Sequence, residues 1–330
     1  MLWIEKYRPE SLDDVILHPH IREVLQSCAA SHSFPHLLVS GPRGAGKTTA
    51  LYAFTKAVYG EHAALNVTEI PSDTLFFQGR AYLEGNSKFT HLYQKNQSVL
   101  SNVKYIVQWH ASLRPLNADF RVIIFDEADA LPHDAQQALR RTMERFSATC
   151  RFVFVTTRPA ALIAPLRSRS LPLTFLPVAA DLIGERLREI LALEGKTDAV
   201  ASDDIDLLAL SVQGDLRKAI MHLQVAVETQ TPVDPEALDE SETGKIAVAA
   251  LNAAREGDLA AARKAAEGLM IEYGFSGREL LTALHKIVKS SSYRPDIALH
   301  LAKTDEMLIA SGNEYLQINA FLAEIAEMDL

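Results

Sequence analysis

Gly41-Pro42-Arg43-Gly44-Ala45-Gly46-Lys47-Thr48 is the stretch that decides the fold. It fits G-x-x-x-x-G-K-[ST], a loop whose glycines let backbone N–H groups turn inward around phosphate oxygens. Its flanks are those the loop requires. Pro35-His36-Leu37-Leu38-Val39-Ser40 reads as a short buried strand, and Thr49-Ala50-Leu51-Tyr52-Ala53-Phe54 as the opening of a helix. The helix N-terminus adds partial positive charge toward bound phosphate. Lys47 is expected to reach the β- and γ-phosphates of ATP, and Thr48 to offer its hydroxyl to Mg²⁺. A chance glycine turn has no reason to sit between a strand and a helix.

A second signal lies downstream. Phe120-Arg121-Val122-Ile123-Ile124-Phe125 is an apolar strand that delivers Asp126-Glu127-Ala128-Asp129 at its C-terminal end. In open α/β sheets ligands bind at that edge. Asp126 is expected in the Mg²⁺ shell, and Glu127 is the candidate base for a water attacking the γ-phosphate. The competing reading, two acids that merely cap the next helix, loses to the combination with the phosphate loop. The letters Asp-Glu-Ala-Asp suggest a helicase, but no second motor domain follows. The fold expected is an α/β P-loop nucleotide-binding module.

Working outward, Pro19 to about Ser31 has helical spacing, and His18-Pro19-His20 reads as a loop before that helix. Leu65-Asn66-Val67-Thr68-Glu69-Ile70 reads as a strand, whereas 71–97 yields no clear pattern. Residues 98–112 are helical through Val99, Val103, Ile106, Val107 and Trp109, and 134–145 are helical by propensity. Cys150 to Thr157 is another buried strand, followed by a turn, a short helix and Leu166-Arg167-Ser168-Arg169-Ser170. An arginine on the far side of such a module serves a neighbour's γ-phosphate in a ring; otherwise it is a plain surface charge. From Ala179 to Thr229 the pattern is helical. Gly214-Asp215-Leu216-Arg217 reads as a turn capped by Asp215 that opens a helix with Arg217 in its first turn. A cation is disfavoured there, which points to a phosphate-directed role. Thr231-Pro232-Val233-Asp234-Pro235 reads as a linker. Residues 236–330 read as all-α, with breaks at Gly257-Asp258, Tyr273 to Gly277 and Ser311-Gly312-Asn313. The expected domains are 1–165 for the nucleotide-binding module, 166–231 for a helical lid and 232–330 for an α-helical assembly domain.

The whole chain bounds these readings. At 330 residues it has room for two or three domains. No apolar run is long enough to span a bilayer, and Met1 to Pro9 lacks the apolar core of a signal peptide, so a cytoplasmic protein is expected. Cys28 and Cys150 are too isolated for a disulfide framework or zinc site. The net charge of −9 argues against nucleic acid only at first sight. Residues 232–330 carry 9 Lys+Arg against 17 Asp+Glu, while the remainder carries 24 against 25. The nucleotide-binding part is therefore near neutral and free to present a basic face.

These motifs, in this order, resemble the small subunits of replication factor C, the sliding-clamp loader of archaea and eukaryotes. The resemblance rests on Trp3-Ile4-Glu5-Lys6-Tyr7-Arg8-Pro9 with Leu12-Asp13-Asp14-Val15, the P-loop, Asp126 to Asp129, Gln136 to Glu144, Ser168-Arg169-Ser170 and Gly214 to Arg217. It implies an AAA+ ATPase module, a helical lid and a helical collar that closes a hetero-pentamer of large and small subunits. It implies that Tyr7, Arg8, Pro9 and Val15 lie near the adenine. Arg217 becomes a sensor-2 arginine acting in cis, and Arg169 an arginine finger acting in trans. ATP binding then grips and opens a PCNA-type clamp on primer–template DNA, and hydrolysis releases it. The helix at 98–112 falls where the family meets its clamp, which makes Ile106 and Trp109 candidate clamp contacts.

Three departures qualify the resemblance. Thr157 stands where the family has a sensor-1 Asn, with shorter reach and no amide. Ser168-Arg169-Ser170 replaces Ser-Arg-Cys but keeps the arginine. The family's Asn-Ala-Ser-Asp stretch is not recognisable at 65–73. They resemble the divergent second small subunit that some archaea carry beside a standard one, and they imply ATP binding with weakened hydrolysis. A non-hydrolysing structural subunit and a solitary AAA+ DNA remodeller are the competing functional readings.

Overall fold

Strand β1 (His36–Ser40) sends Leu37 and Val39 to one face and Leu38 to the other, as a period of two requires. Strands β3 (Arg121–Asp126) and β4 (Cys150–Thr156) do the same. Ile123, Phe125, Phe152 and Phe154 join one core, and Val122, Ile124, Val153 and Val155 the other. Both faces are thus covered, which is why these strands read as continuous apolar runs. In the computed structural model the described residues are 1–231, 242–290 and 295–328. They contain one five-stranded sheet of order β2-β3-β4-β1-β5, every pairing parallel, with β2 at Val67–Pro71 and β5 at Ser170–Thr174.

Helices α1 (Trp3–Lys6), α2 (Pro19–Ala30) and α3 (Lys47–Tyr59) accompany β1. His18 caps α2 through its ring nitrogen and Pro19 takes the first helical position, where a missing N–H costs nothing. Helices α4 (Ala63–Asn66) and α5 (Ser72–Gln78) adjoin β2, α6 (Arg80–Gly85) packs on α5, α7 (Val99–Ser112) lies against β3, α8 (His133–Arg145) against β4, and α9 (Ala164–Arg167) against α8 and β5. Helices α10 (Ala180–Leu193), α11 (Ser202–Ser211) and α12 (Leu216–Thr229) pack together through Ile183, Leu187, Leu208 and Leu223, all fully buried.

The chain divides into two compact units, Met1–Val233 and Asp234–Leu330. The second is helical throughout its described part: α13 (Glu242–Arg255), α14 (Leu259–Ile271), α15 (Gly277–Ser290), α16 (Pro295–Ala310) and α17 (Glu314–Ala326) share a core of Leu251, Leu269, Leu284, Ile297 and Phe321. The three expected breaks separate α13 from α14, α14 from α15 and α16 from α17, with Asp258 and Asn313 capping the helices that follow; the separation of α15 from α16 is not among those expected. The linker at 231–235 lies outside the described residues apart from Thr231.

Two expectations need correction. The border at 165 is too early, because β5 pairs with β1 and belongs to the sheet. Pro172 disguises this strand; it is tolerated because β5 is an edge. The N-terminal segment forms the single turn α1, with Trp3 buried against α12. Ile106 is only 2 % exposed and sits in the core between α7 and the sheet, so it is not presented to a partner. Trp109 is half-buried and packs edge-on against His91 and His110. The outward residues of α7 are Ser101, Lys104, Tyr105 and Ser112.

Candidate active site

The phosphate loop folds as its glycines demand. Gly41, Gly44 and Gly46 have φ of 147°, 72° and 80°, values that L side chains avoid. A Cβ on Gly41 would meet Phe175 Cβ at 2.9 Å. A Cβ on Gly44 would overlap the Asp215 carboxyl and come within 2.8 Å of its Cα, so the loop is packed against the start of α12. Gly46 is the N-cap of α3, and the amides of that first turn face the loop. Lys47 is buried, and its Nζ donates to the carbonyls of Gly41 (2.9 Å) and Pro42 (2.6 Å). Burial lowers its pKa, and the Asp126 charge works against that shift.

The loop lines a cleft of ≈ 720 Å³ whose wall is drawn from the first unit alone. That volume is in the usual range for a small-ligand site. Arg43 to Thr49, Asp126, Glu127, Thr157 and Arg217 all lie on it, as do Tyr7, Arg8, Pro9 and Val15 of the N-terminal segment. Gly41 and Pro42 sit behind, holding Lys47. Every expected residue of the nucleotide site is thus brought to one place except Arg169.

The acids sit at the end of β3. Thr48 Oγ1 donates to Asp126 Oδ2 at 3.3 Å. A hydroxyl and a carboxylate so placed are the two protein ligands a phosphate-bound Mg²⁺ needs. Glu127 adopts φ 48°, ψ 47°, a left-handed conformation that is costly for a glutamate. It turns the side chain toward Asp73 at the start of α5. The two carboxyls share a hydrogen bond, which together with partial burial pushes the Glu127 carboxyl up to about 7 and holds Asp73 low. Below that value the shared proton sits on Glu127, with Asp73 as its acceptor. Asp126 reinforces the rise, and Arg43 opposes it.

Asp129 is engaged elsewhere. Its Oδ1 accepts from Thr156 Oγ1 at 2.7 Å and its Oδ2 from Arg158 Nε at 3.0 Å. Thr157, the next residue along from Thr156, is exposed on the cleft wall.

Helices α10 and α12 are tied to the loop side through the N-terminal segment. Trp3 N donates to Gln224 Oε1 on α12 at 2.8 Å. Tyr7 OH donates to Glu194 Oε1 at 2.6 Å, Arg186 Nη2 on α10 donates to the Tyr7 carbonyl at 2.8 Å, and the Arg8 guanidinium stacks over the Tyr52 ring of α3. Asp215 caps α12 by accepting from Lys218 N at 3.0 Å. Arg217 thereby enters the cleft close enough to Lys47 for their charges to oppose each other.

Arg169 points elsewhere. Its Nη2 donates to Glu144 Oε1 at 2.7 Å and its Nη1 to the Pro165 carbonyl at 3.0 Å, on the surface formed by α8 and α9. It is about one-third exposed and is absent from the cleft wall. Sequence reading missed the roles of Asp73, Asp129, Thr156, Arg158 and Arg186. Asp129 belongs to the Asp-Glu-Ala-Asp motif; the others are brought in by tertiary contacts that leave no local pattern.

Comparison with known proteins agrees with this fold. Residues 37–178 match the family model "ATPase family associated with various cellular activities (AAA)", and residues 244–324 match "Replication factor C C-terminal domain". The chain is 33% identical to the replication factor C small subunit of Natronomonas pharaonis, over 98% of this chain and 95% of that one. It is 33% identical to the namesake from Methanococcus maripaludis strain C7, over 99% of each. Among solved structures, the RuvB Holliday junction branch migration motor of Thermotoga maritima superposes with a TM-score of 0.51 at 16% identity, covering 84% of this chain and 85% of that one. That likeness is one of fold.

Proposed function

The chain belongs to the replication factor C small subunits, and from that membership we propose that it works within a clamp-loader ring that opens a PCNA-type clamp and seats it on primer–template DNA. Its AAA+ module is an ATPase, and its place is in DNA replication. A large subunit and a standard small subunit are the expected companions in a hetero-pentamer, with the second unit of this chain as the collar. In this reading residues 180–229 act as the lid. A cytoplasmic location belongs to the same reading; no helix among the described residues is long and apolar enough to cross a membrane.

One observation carries the proposal. Lys47, Thr48, Asp126, Glu127 and Arg217 line one cleft, while Arg169 is held away from it on Glu144. A site with everything but its finger, and a finger with no site, is the pattern of a chain that works between neighbours.

ATP fits the cleft by volume, by the first-turn amides of α3, which no side chain caps, and by the buried ammonium of Lys47. Mg²⁺ fits between Thr48 and Asp126, where it would neutralise charge on the β- and γ-phosphates. Lys47 binds the terminal phosphates, Glu127 takes a proton from the attacking water, and Arg217 from α12 joins lid position to the phosphate chain. Tyr7, Arg8, Pro9 and Val15 enclose the base end. We assign this chain to the divergent second small subunits, with slower hydrolysis of its own. That assignment draws on Thr157 in place of an amide and on Glu127 held by Asp73. The same two features favour, as a second reading, a site that binds ATP chiefly to cement the ring.

Co-expression with a large and a standard small subunit, followed by native mass measurement, tests the assembly. A five-subunit hetero-oligomer containing this chain is expected. A homohexamer would contradict the proposal and favour a solitary remodeller.

A further inference from the structure

We propose that Arg158 is a further nucleotide-contacting residue of this site, its guanidinium engaging the terminal phosphate of ATP beside Thr157. The assignment rests on the nucleotide reading above.

Position is the first argument. Strand β4 lies between β3, which ends in Asp126, and β1, which feeds the P-loop. Gly41 N donates to the Thr156 carbonyl at 3.3 Å, so the end of β4 is bonded to the first residue of the loop. The residues just past Thr156 therefore emerge between the phosphate loop and the acids. Thr157 and Arg158 both line the cleft there.

The second argument is how Arg158 is held. Its backbone N donates to Thr156 Oγ1 at 2.9 Å, and its Nε to Asp129 Oδ2 at 3.0 Å. Thr156 Oγ1 in turn donates to Asp129 Oδ1 at 2.7 Å. These bonds close a small network that fixes the backbone and the middle of the arginine. Nη1 and Nη2 make none of the hydrogen bonds found among the described residues, and the side chain stays 72% exposed. Arginine usually meets a carboxylate with its terminal nitrogens in a paired fork. Here Asp129 grips only the inner nitrogen, and the outer donors stay available on a residue that lines the cleft.

The third argument is chemical need. Asp73, Asp126, Glu127 and Asp129 gather at this end of the cleft, against Arg43, Lys47 and Arg217. The terminal phosphate of ATP adds further negative charge. Thr157 offers a short hydroxyl with no cation. A planar, permanently charged fork one residue further along supplies both reach and charge. Because ADP lacks the terminal phosphate, Arg158 makes the site prefer the triphosphate.

Equilibrium binding of the β,γ-imido analogue of ATP and of ADP, each with Mg²⁺, to the full-length chain and to Arg158→Ala, Arg158→Gln and Arg158→Lys is the test, with melting temperatures in parallel. Arg158→Ala and Arg158→Gln should weaken the triphosphate analogue by ~10-fold or more, the scale of one charge-assisted contact, and leave ADP nearly unchanged. Arg158→Lys should fall between, and all melting temperatures should agree. Equal losses for both nucleotides, or no loss for either, would overturn the assignment. Equal losses with a lowered melting temperature would reduce Arg158 to a brace for Asp129. If the unaltered chain bound neither nucleotide, the nucleotide site itself would fail and Arg158 with it.

Discussion

Thr48 Oγ1 and Asp126 Oδ2 lie 3.3 Å apart, joining the first turn of α3 to the end of a strand two places away in the sheet. Neither residue is near the other in sequence. The sheet order puts β4 between them, and its parallel pairing with both brings the C-terminal ends of β1 and β3 to one rim. Thr48 and Asp126 would together hold a phosphate-bound cation there, tying loop to sheet.

Asp126→Asn should therefore lose most Mg²⁺-dependent nucleotide affinity while keeping the fold. The amide is isosteric and still accepts from Thr48, but it lacks the charge. Titration of ADP with and without Mg²⁺ checks this. The metal-stimulated part should fall by ~10-fold or more, given hard-cation preference for carboxylate oxygen, and metal-free binding should change little.

The Asp73–Glu127 contact predicts a pH dependence. An acid whose pKa is raised on folding binds more protons folded than unfolded between its two pKa values. Its contribution to stability is present below the unfolded value of 4.5 and is lost as pH rises toward about 7. Asp73, held low, acts in the opposite sense and loses its contribution as pH falls through its own lowered range. For activity the sign is simpler. Glu127 must be ionised to accept a proton, so single-turnover hydrolysis at this site should rise with pH through about 7. Asp73→Asn removes a like charge and offers an amide donor, so the rise should move to lower pH. A profile that ignores Asp73 would dissociate the two carboxyls.

Tyr105 and Ile106 are neighbours on α7 with opposite fates. Ile106→Ala should cost about 2–5 kcal/mol of stability as a core truncation, read as a lowered melting temperature. Tyr105→Ala, on the exposed face, should leave melting unchanged and weaken binding of the clamp to the assembled ring. Clamp binding unaffected by Tyr105→Ala or Trp109→Ala would move the interface off this helix.

Much of the fold and of the site is legible in the order of residues alone. Gly41 to Thr48, the strand ending in Asp126 and the Asp215 cap are local patterns, each carrying its own chemistry over a few residues. What stays hidden is set by tertiary context. Strand β5 contains Pro172 and alternates weakly because it is an edge. Helices α5 and α6 are too short for a periodic signal and are separated by Gly79 at φ 57°. Ile106 lies on the same apolar stripe as Val103 and Val107, so its inward turn is legible in the helical spacing, against what the resemblance to a clamp-binding helix implies. Asp73 and Arg158 reach the site across α5 and β4, and no spacing rule links them to Glu127 or Asp129.

Arg169 carries the central claim, that this chain's cleft and this chain's finger serve different subunits. ATP turnover of the assembled complex bearing Arg169→Ala alone, with intact native mass and nucleotide occupancy, tests it most directly. The site facing Arg169 should lose hydrolysis by ~10³-fold or more, as removal of an arginine finger does, so turnover should fall by at least that site's share. Unchanged turnover in a complex of unchanged mass would contradict the account and leave Arg169 as a surface partner of Glu144.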